Sequence, residues 1–188
     1  MNRILLSATL FAALLVSSCS EPEVVEAPLP FALTEDAMGR YCGMNVLEHP
    51  GPKGQIILQH IPEAIWFSSA RDTIAFTMLP EEPRDIAAIY VSDMSKATDW
   101  DEPGSDNWVD ARNATFVIGS TRMGGMGVEE AVPFSDEADA ISFAATYGGQ
   151  VVSFEDVPQD YILGSGEIDL ADPEPEGETV IMNGHDHG

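Results

Sequence analysis

An internal repeat restricts this chain more than any other feature. Residues 63–76, EAIWFSSARDTIAF, align without gaps on residues 130–143, EAVPFSDEADAISF, at an offset of 67 with seven identities in 14 positions. The flanks agree as well: each copy follows an apolar strand candidate, Gln55 to Gln59 or Ala114 to Gly119, and precedes another, Ile86 to Ser92 or Gln150 to Phe154. The repeated block reads as a helix with Trp66 at its start, Ser68 or Ser135 as N-cap candidate, Asp136 and Glu137 favouring the first turn, and Pro80 or Gly148-Gly149 as its stop. Ala70, Ile74 and Met78 recur at four-residue spacing and predict one buried stripe. The repeat therefore predicts two similar strand, loop, helix, strand units packed as one pseudo-duplicated α+β domain. Their joint falls at Asp99 to Asp110, rich in Asp, Pro and Gly, with Trp100 and Trp108 bracing it.

Charge narrows the function. The 188 residues carry 32 Asp and Glu against 8 Lys and Arg, a formal charge of −24. Such a surface repels phosphate, which excludes a nucleic-acid role and a helix that reads anionic lipid. Mean hydropathy of −0.03 and 44% hydrophobic residues still leave enough apolar content for a core.

The first residues decide the compartment. Arg3 precedes an apolar run from Ile4 to Val16, 13 residues long, too short to span a bilayer and suited to a secretory signal. The run ends in Val16-Ser17-Ser18-Cys19, which resembles the lipobox of bacterial lipoproteins, where cleavage precedes the cysteine and the thiol is lipidated. Ser20 stands where Asp would signal inner-membrane retention, so outer-membrane sorting of a periplasmic, lipid-anchored protein is the expectation. Loss of residues 1–18 removes Arg3 and takes the charge to 7 − 32 = −25. With Cys19 lipidated, Cys42 has no intramolecular partner and is a free thiol in an oxidising compartment, a liability unless buried or liganded. The expected organisation is a signal peptide at 1–18, a lipidated cysteine and flexible tether at 19–33, a first half at 34–98, the linker and second half at 99–162, and an acidic disordered tail at 163–188.

Three places carry candidate chemistry. In Tyr41-Cys42-Gly43-Met44 an extended chain would put Cys42 and Met44 on one face, with Gly43 permitting close backbone approach. Thiolate plus thioether is a soft ligand pair that selects Cu(I) over hard cations, while the plainer alternative is that both residues are core. Met123 and Met126 lie among Gly124, Gly125 and Gly127, where a helix is poor, so both sit on a loop as donors or as gap-fillers. His185 and His187 close the chain as a weak metal-binding pair or a polar tail; His49 and His60 sit at strand ends, able to complete a site near Cys42 or to stay as surface histidines. No phosphate loop with Lys, His-x-x-x-His, Cys-x-x-Cys or Gly-x-Ser-x-Gly occurs, so an enzyme is not expected. The rivals are a non-metal acidic adaptor steered to a basic partner and, further off, a thiol enzyme using Cys42.

Several stretches resemble the NosL family of nitrous oxide reductase accessory lipoproteins. They are Tyr41 to Met44, Gly51-Pro-Lys-Gly-Gln55, Phe67-Ser-Ser-Ala-Arg-Asp72, Ile89-Tyr-Val-Ser-Asp93, Trp108-Val-Asp-Ala111, Val117-Ile-Gly-Ser120, Met126-Gly127, Pro133-Phe134 and Gly148-Gly149, in family order over residues 38–158. The resemblance implies a fold of two ββαβ-like halves. It also implies a periplasmic chaperone that carries one Cu(I) for the copper centres of nitrous oxide reductase and docks on an associated ABC-type membrane complex. Carried over residue by residue, it puts copper on Cys42, Met44 and Met126. The family's Gly-Pro-Met-Gly turn reads Gly124-Gly125-Met126-Gly127 here, so the proline is absent and Met123 competes with Met126.

Overall fold

The computed structural model describes residues 26–164. The signal peptide, Cys19, most of the tether, and the tail with His185 and His187 lie outside the described residues. The first half contains β1 (Gly54–Leu58), β2 (Ala64–Phe67), α1 (Ala70–Met78) and β3 (Ile86–Ser92); β4 (Trp108–Asp110) follows. The second contains β5 (Thr115–Ile118), β6 (Val132–Phe134), α2 (Glu137–Tyr147) and β7 (Gln150–Ser153), and α3 (Gln159–Leu163) comes last. The sheets run β2-β1-β3-β4 and β6-β5-β7, every pair antiparallel. The ββαβ order therefore recurs with the same strand order: Phe67 pairs with Gly54 and Phe134, 67 residues on, pairs with Thr115.

The repeated block is not helical throughout. Its first residues form β2 and β6, and only the remainder forms α1 and α2, so Trp66 is a strand residue rather than the start of a helix. β-Branched and aromatic residues favour the pleated surface, and Pro133 is tolerated because β6 is an edge strand. The caps fall one residue later than Ser68 and Ser135. Ser69 accepts from Asp72 N at 2.9 Å, and Asp136 accepts from Ala138 N at 2.8 Å. Ser68 is buried instead, and Ser135 N–H binds the Asp93 carboxylate at 3.0 Å. α1 ends just before Leu79-Pro80, and α2 ends at Gly148, whose φ of 75° suits glycine.

The two helices serve differently. α1 buries Ala70, Thr73, Ile74 and Phe76 completely, because its own sheet lies on one side and β6 and α3 on the other. In α2 only Ala140 is buried. One apolar cluster runs through both halves, joining Ile56, Phe67, Phe76 and Ile89 to Phe116, Ile118 and Ile162. The 0%-exposed Asp93 reinforces the joint, pairing with Lys96 at 2.9 Å and accepting from Ser95 N at 3.1 Å. Burial raises the Asp93 pKa, but the hydrogen bonds from Lys96, Ser135 and Ser95 outweigh it and hold the carboxyl below its usual range.

The folded part begins earlier than residue 34. Gln55, fully buried, accepts from Phe31 N at 2.8 Å and donates to Phe31 O at 2.9 Å, while Tyr90 OH donates to Pro28 O at 2.8 Å. Pro28 and Phe31 are thus tied to side chains of the sheet instead of hanging free, and the buried Gln55 amide finds in Phe31 the partners it needs.

Candidate metal centre

Cys42 sits in a turn, not in a strand. Met38 and Asn45 close the loop as a β-bridge. Inside it Gly39 N–H donates to Met44 O at 2.9 Å and Gly43 N–H donates to Gly39 O at 2.9 Å. Strand alternation therefore does not place Cys42 and Met44; a turn through Gly43 at φ +65° does. A Cβ on Gly43 would meet nothing within 4 Å, so this glycine supplies backbone conformation rather than close approach. Close approach belongs to Gly39, where a Cβ would stand 2.6 Å from Cys42 Sγ and 2.7 Å from Ser68 Oγ.

The half-buried Cys42 thiol lies 3.0 Å from Ser68 Oγ and 4.0 Å from Met44 O. Its neighbours are pinned. Arg40 pairs with Glu82 at 3.1 Å, Tyr41 OH donates to the same carboxylate at 3.2 Å, and Arg40 N–H donates to Trp66 O at 2.7 Å. Burial, then the charge of Glu82, pushes the Tyr41 hydroxyl well above its ordinary pKa. Met44 is 41% exposed.

A short 3-10 turn, Val46–Glu48, carries the chain from Asn45 to His49. The nearly buried Lys53 ties the next bend, its ammonium donating to His49 O and, at 2.7 Å, to Gly51 O. Burial pushes its pKa down to about 8. His49 Nε2 is buried and has no hydrogen-bond partner.

The methionine turn meets the protein at this bend. Gly127 N–H donates to Gly124 O at 2.9 Å and Gly124 N–H to Val128 O at 2.8 Å, leaving Met123 50% and Met126 42% exposed. A Cβ on Gly125 would lie 2.5 Å from His49 Cβ and 2.8 Å from Pro50 O, so glycine lets the turn rest directly on the first-half loop. At the base of the turn the Arg122 guanidinium stands 4.2 Å from the Trp100 ring centroid and 5.5 Å from that of Tyr147.

The structure thus brings the methionine turn against His49, five residues beyond Met44, and sets Cys42 against Ser68 at the start of α1. It does not bring His60 to them: this exposed residue lies in the β1–β2 hairpin, at the far end of β2 from Ser68. Sequence reasoning missed Gly39, Ser68, Lys53 and Glu130. Glu130 is 1% exposed, yet its repeat counterpart Glu63 is exposed, so the alignment itself disguised it. Chemically the arrangement presents a thiol and three accessible thioethers, soft donors suited to a soft monovalent ion. Among the described residues no group of three or more His, Cys, Asp and Glu forms a cluster of the kind that harder metals use.

What these features define is a small α+β binding domain of two ββαβ units with sulfur donors exposed on neighbouring loops. The chain belongs to the NosL family, whose model matches residues 30–162. A copper-binding lipoprotein NosL from Achromobacter cycloclastes is 45% identical over 153 residues, covering 81% of this chain and 79% of that protein. One of the same name from Stutzerimonas stutzeri is 31% identical over 186 residues, covering 95% and 96%. The crystal structure of the copper chaperone NosL from Shewanella denitrificans superimposes with a TM-score of 0.65 at 35% identity, covering 69% of this chain and 96% of that one.

Proposed function

We propose that this protein is a periplasmic, lipid-anchored Cu(I) carrier that supplies copper for the copper centres of nitrous oxide reductase. The observation that carries the reading is the meeting of the Gly124–Gly127 turn with the His49 bend that follows the Cys42 loop, with Met44, Met123 and Met126 exposed and Cys42 half-buried. Cu(I) is cargo. Cys42 supplies the anionic donor, Met44 a thioether from the same turn, and Met126 or Met123 a thioether from the second half. His49, whose Nε2 is buried without a hydrogen-bond partner and whose Cβ lies against Gly125, is the better-placed nitrogen donor of the two described histidines.

A few soft donors near the surface favour associative transfer. An acceptor's ligand joins the ion before a donor leaves, so copper is never free. Two exposed thioethers are weak, quickly exchanged donors, and the thiolate keeps hold of the ion until last. Cys19 would anchor the chain, with outer-membrane sorting favoured, and the acidic surface would steer it towards a basic docking face on the ABC-type maturation complex or on nitrous oxide reductase itself.

Anaerobic Cu(I) competition against a chromophoric chelator tests the reading. The parent should bind one equivalent. Cys42→Ser should weaken binding most, by about a hundredfold or more, and Met44→Leu or a Met123/Met126 double change by about tenfold each. Retained affinity in Cys42→Ser, within threefold of the parent, would remove Cys42 from the site; no binding by the parent would leave the acidic adaptor as the better reading.

A further inference from the structure

Glu130 is a buried acid that copper binding does not use directly. One carboxyl oxygen, Oε1, accepts from Arg71 N at 2.8 Å and from Ala131 N at 2.9 Å. Arg71 is the second residue of α1 and lies three residues after Ser68, whose hydroxyl touches Cys42 Sγ. The other oxygen, Oε2, is buried without a hydrogen-bond partner. It faces the methionine turn: a Cβ on Gly124 would stand 2.5 Å from it. Gly124 N–H is already bonded to Val128 O, so the contact is one of packing against a bare Cα.

A half-satisfied buried carboxyl is a poor way to stabilise a core, since burying a polar atom without its hydrogen bond is unfavourable. Glu63, at the same place in the first copy of the repeat, is exposed and grips nothing equivalent. Around Glu130 the grip is elaborate. Arg71 donates to Glu129 O at 3.0 Å and to Tyr161 O at 2.7 Å, and Tyr161 OH donates to Glu130 O at 2.9 Å. The strand start that holds the methionine turn is thus tied to the helix start that holds the thiol.

We propose that Glu130 is a positioning residue, clamping the N-terminus of α1 to the Gly124–Gly127 turn and so setting where Met123 and Met126 stand relative to Cys42. The metal-binding consequence rests on the copper reading; the positioning itself is testable in the metal-free protein.

The experiment is methyl NMR of the metal-free protein with 13C-methyl methionine, compared across parent, Glu130→Gln and Glu130→Ala, with Cu(I) competition on the same samples. In Glu130→Ala the Met123 and Met126 methyl signals should shift or broaden while Met78, at the far end of α1, stays put. Cu(I) affinity should fall about tenfold, the loss of one weak donor. Glu130→Gln keeps the Oε1 acceptor and should stay within threefold of the parent. Gly124→Ala pushes a methyl group at Oε2 from the other side and should, in 15N-labelled protein, move the amide of Arg71 across the clamp, a readout that stands even if Glu130→Ala does not fold. Unmoved Met123 and Met126 signals in a folded Glu130→Ala, or an unmoved Arg71 amide in Gly124→Ala, would overturn the proposal. Failure of the parent to bind Cu(I) would overturn the copper reading alone, leaving the methyl shifts to judge the clamp.

Discussion

Replacing Gly39 with alanine tests the geometry of the thiol loop through a single methyl group. That methyl would sit 2.6 Å from Cys42 Sγ and 2.7 Å from Ser68 Oγ, about 1 Å inside normal contact for each. Both obstacles are ends of short side chains, so they move before the backbone does, and the 3.0 Å contact between them opens. Overpacking of this kind costs about 1–3 kcal/mol. For a domain of this size it lowers Tm by about 3–9 °C. The displaced thiol should also react faster with a disulfide reagent, since Ser68 no longer covers it. Gly43→Ala is the matched control: nothing lies within 4 Å of its Cβ, so its only penalty is the positive φ, about 1 kcal/mol. The assay is thermal unfolding paired with thiol-labelling rate for both variants. If Gly39→Ala left Tm and labelling unchanged, the close packing of Gly39, Cys42 and Ser68 would be wrong.

Other predictions follow from the same contacts. Burial pushes the Glu130 carboxyl up to about 8, against hydrogen bonds from Arg71 and Ala131 that lower it, with Asp72 raising and Lys53 lowering it. Its folded pKa lies above the unfolded value, so the folded state holds the extra proton, and the stability it contributes is complete below about pH 4.5 and lost as pH rises towards 8. Urea unfolding across that range should show a decline that Glu130→Gln flattens. Arg122→Ala removes the guanidinium from between Trp100 and Tyr147; it should cost about 1 kcal/mol by denaturant unfolding and loosen the methionine turn, seen as faster amide exchange at residues 123–128. Gln55→Leu leaves Phe31 without its buried partners, and amide exchange at Phe31 should accelerate.

The flanking strands β1, β3, β5 and β7 and the places of both helices were legible from the 67-residue offset and its apolar flanks. The strand orders were not, since the two sheets include strands that the block conceals. The internal boundary of the block was not legible, since AIWF and AVPF sit in front of good helix formers and only pairing with β1 and β5 makes them strands. The N-caps were missed by one residue for a related reason. Both positions of each pair are capable caps; Ser68 is buried with its hydroxyl against Cys42, and Ser135, though exposed, is held by its backbone N–H on the Asp93 carboxylate. At the candidate site the donor types were readable, whereas the supports were not. Lys53 and Glu130 read as surface charges until the fold closes over them, and Gly39 looks idle until Ser68 arrives from 29 residues away. The reading of Cys42 and Met44 as an extended pair failed because the Gly43-to-Gly39 hydrogen bond favours a turn over a strand.

X-ray absorption at the copper edge of the anaerobic Cu(I)-loaded protein tests the central claim most directly, because it counts donors by element. The account predicts one copper per chain in a low-coordinate shell dominated by sulfur, the thiolate joined by thioether, with that sulfur contribution falling in Cys42→Ser and again in the Met123/Met126 double variant. A shell of nitrogen and oxygen alone, or a spectrum unchanged by both sets of substitutions, would contradict it.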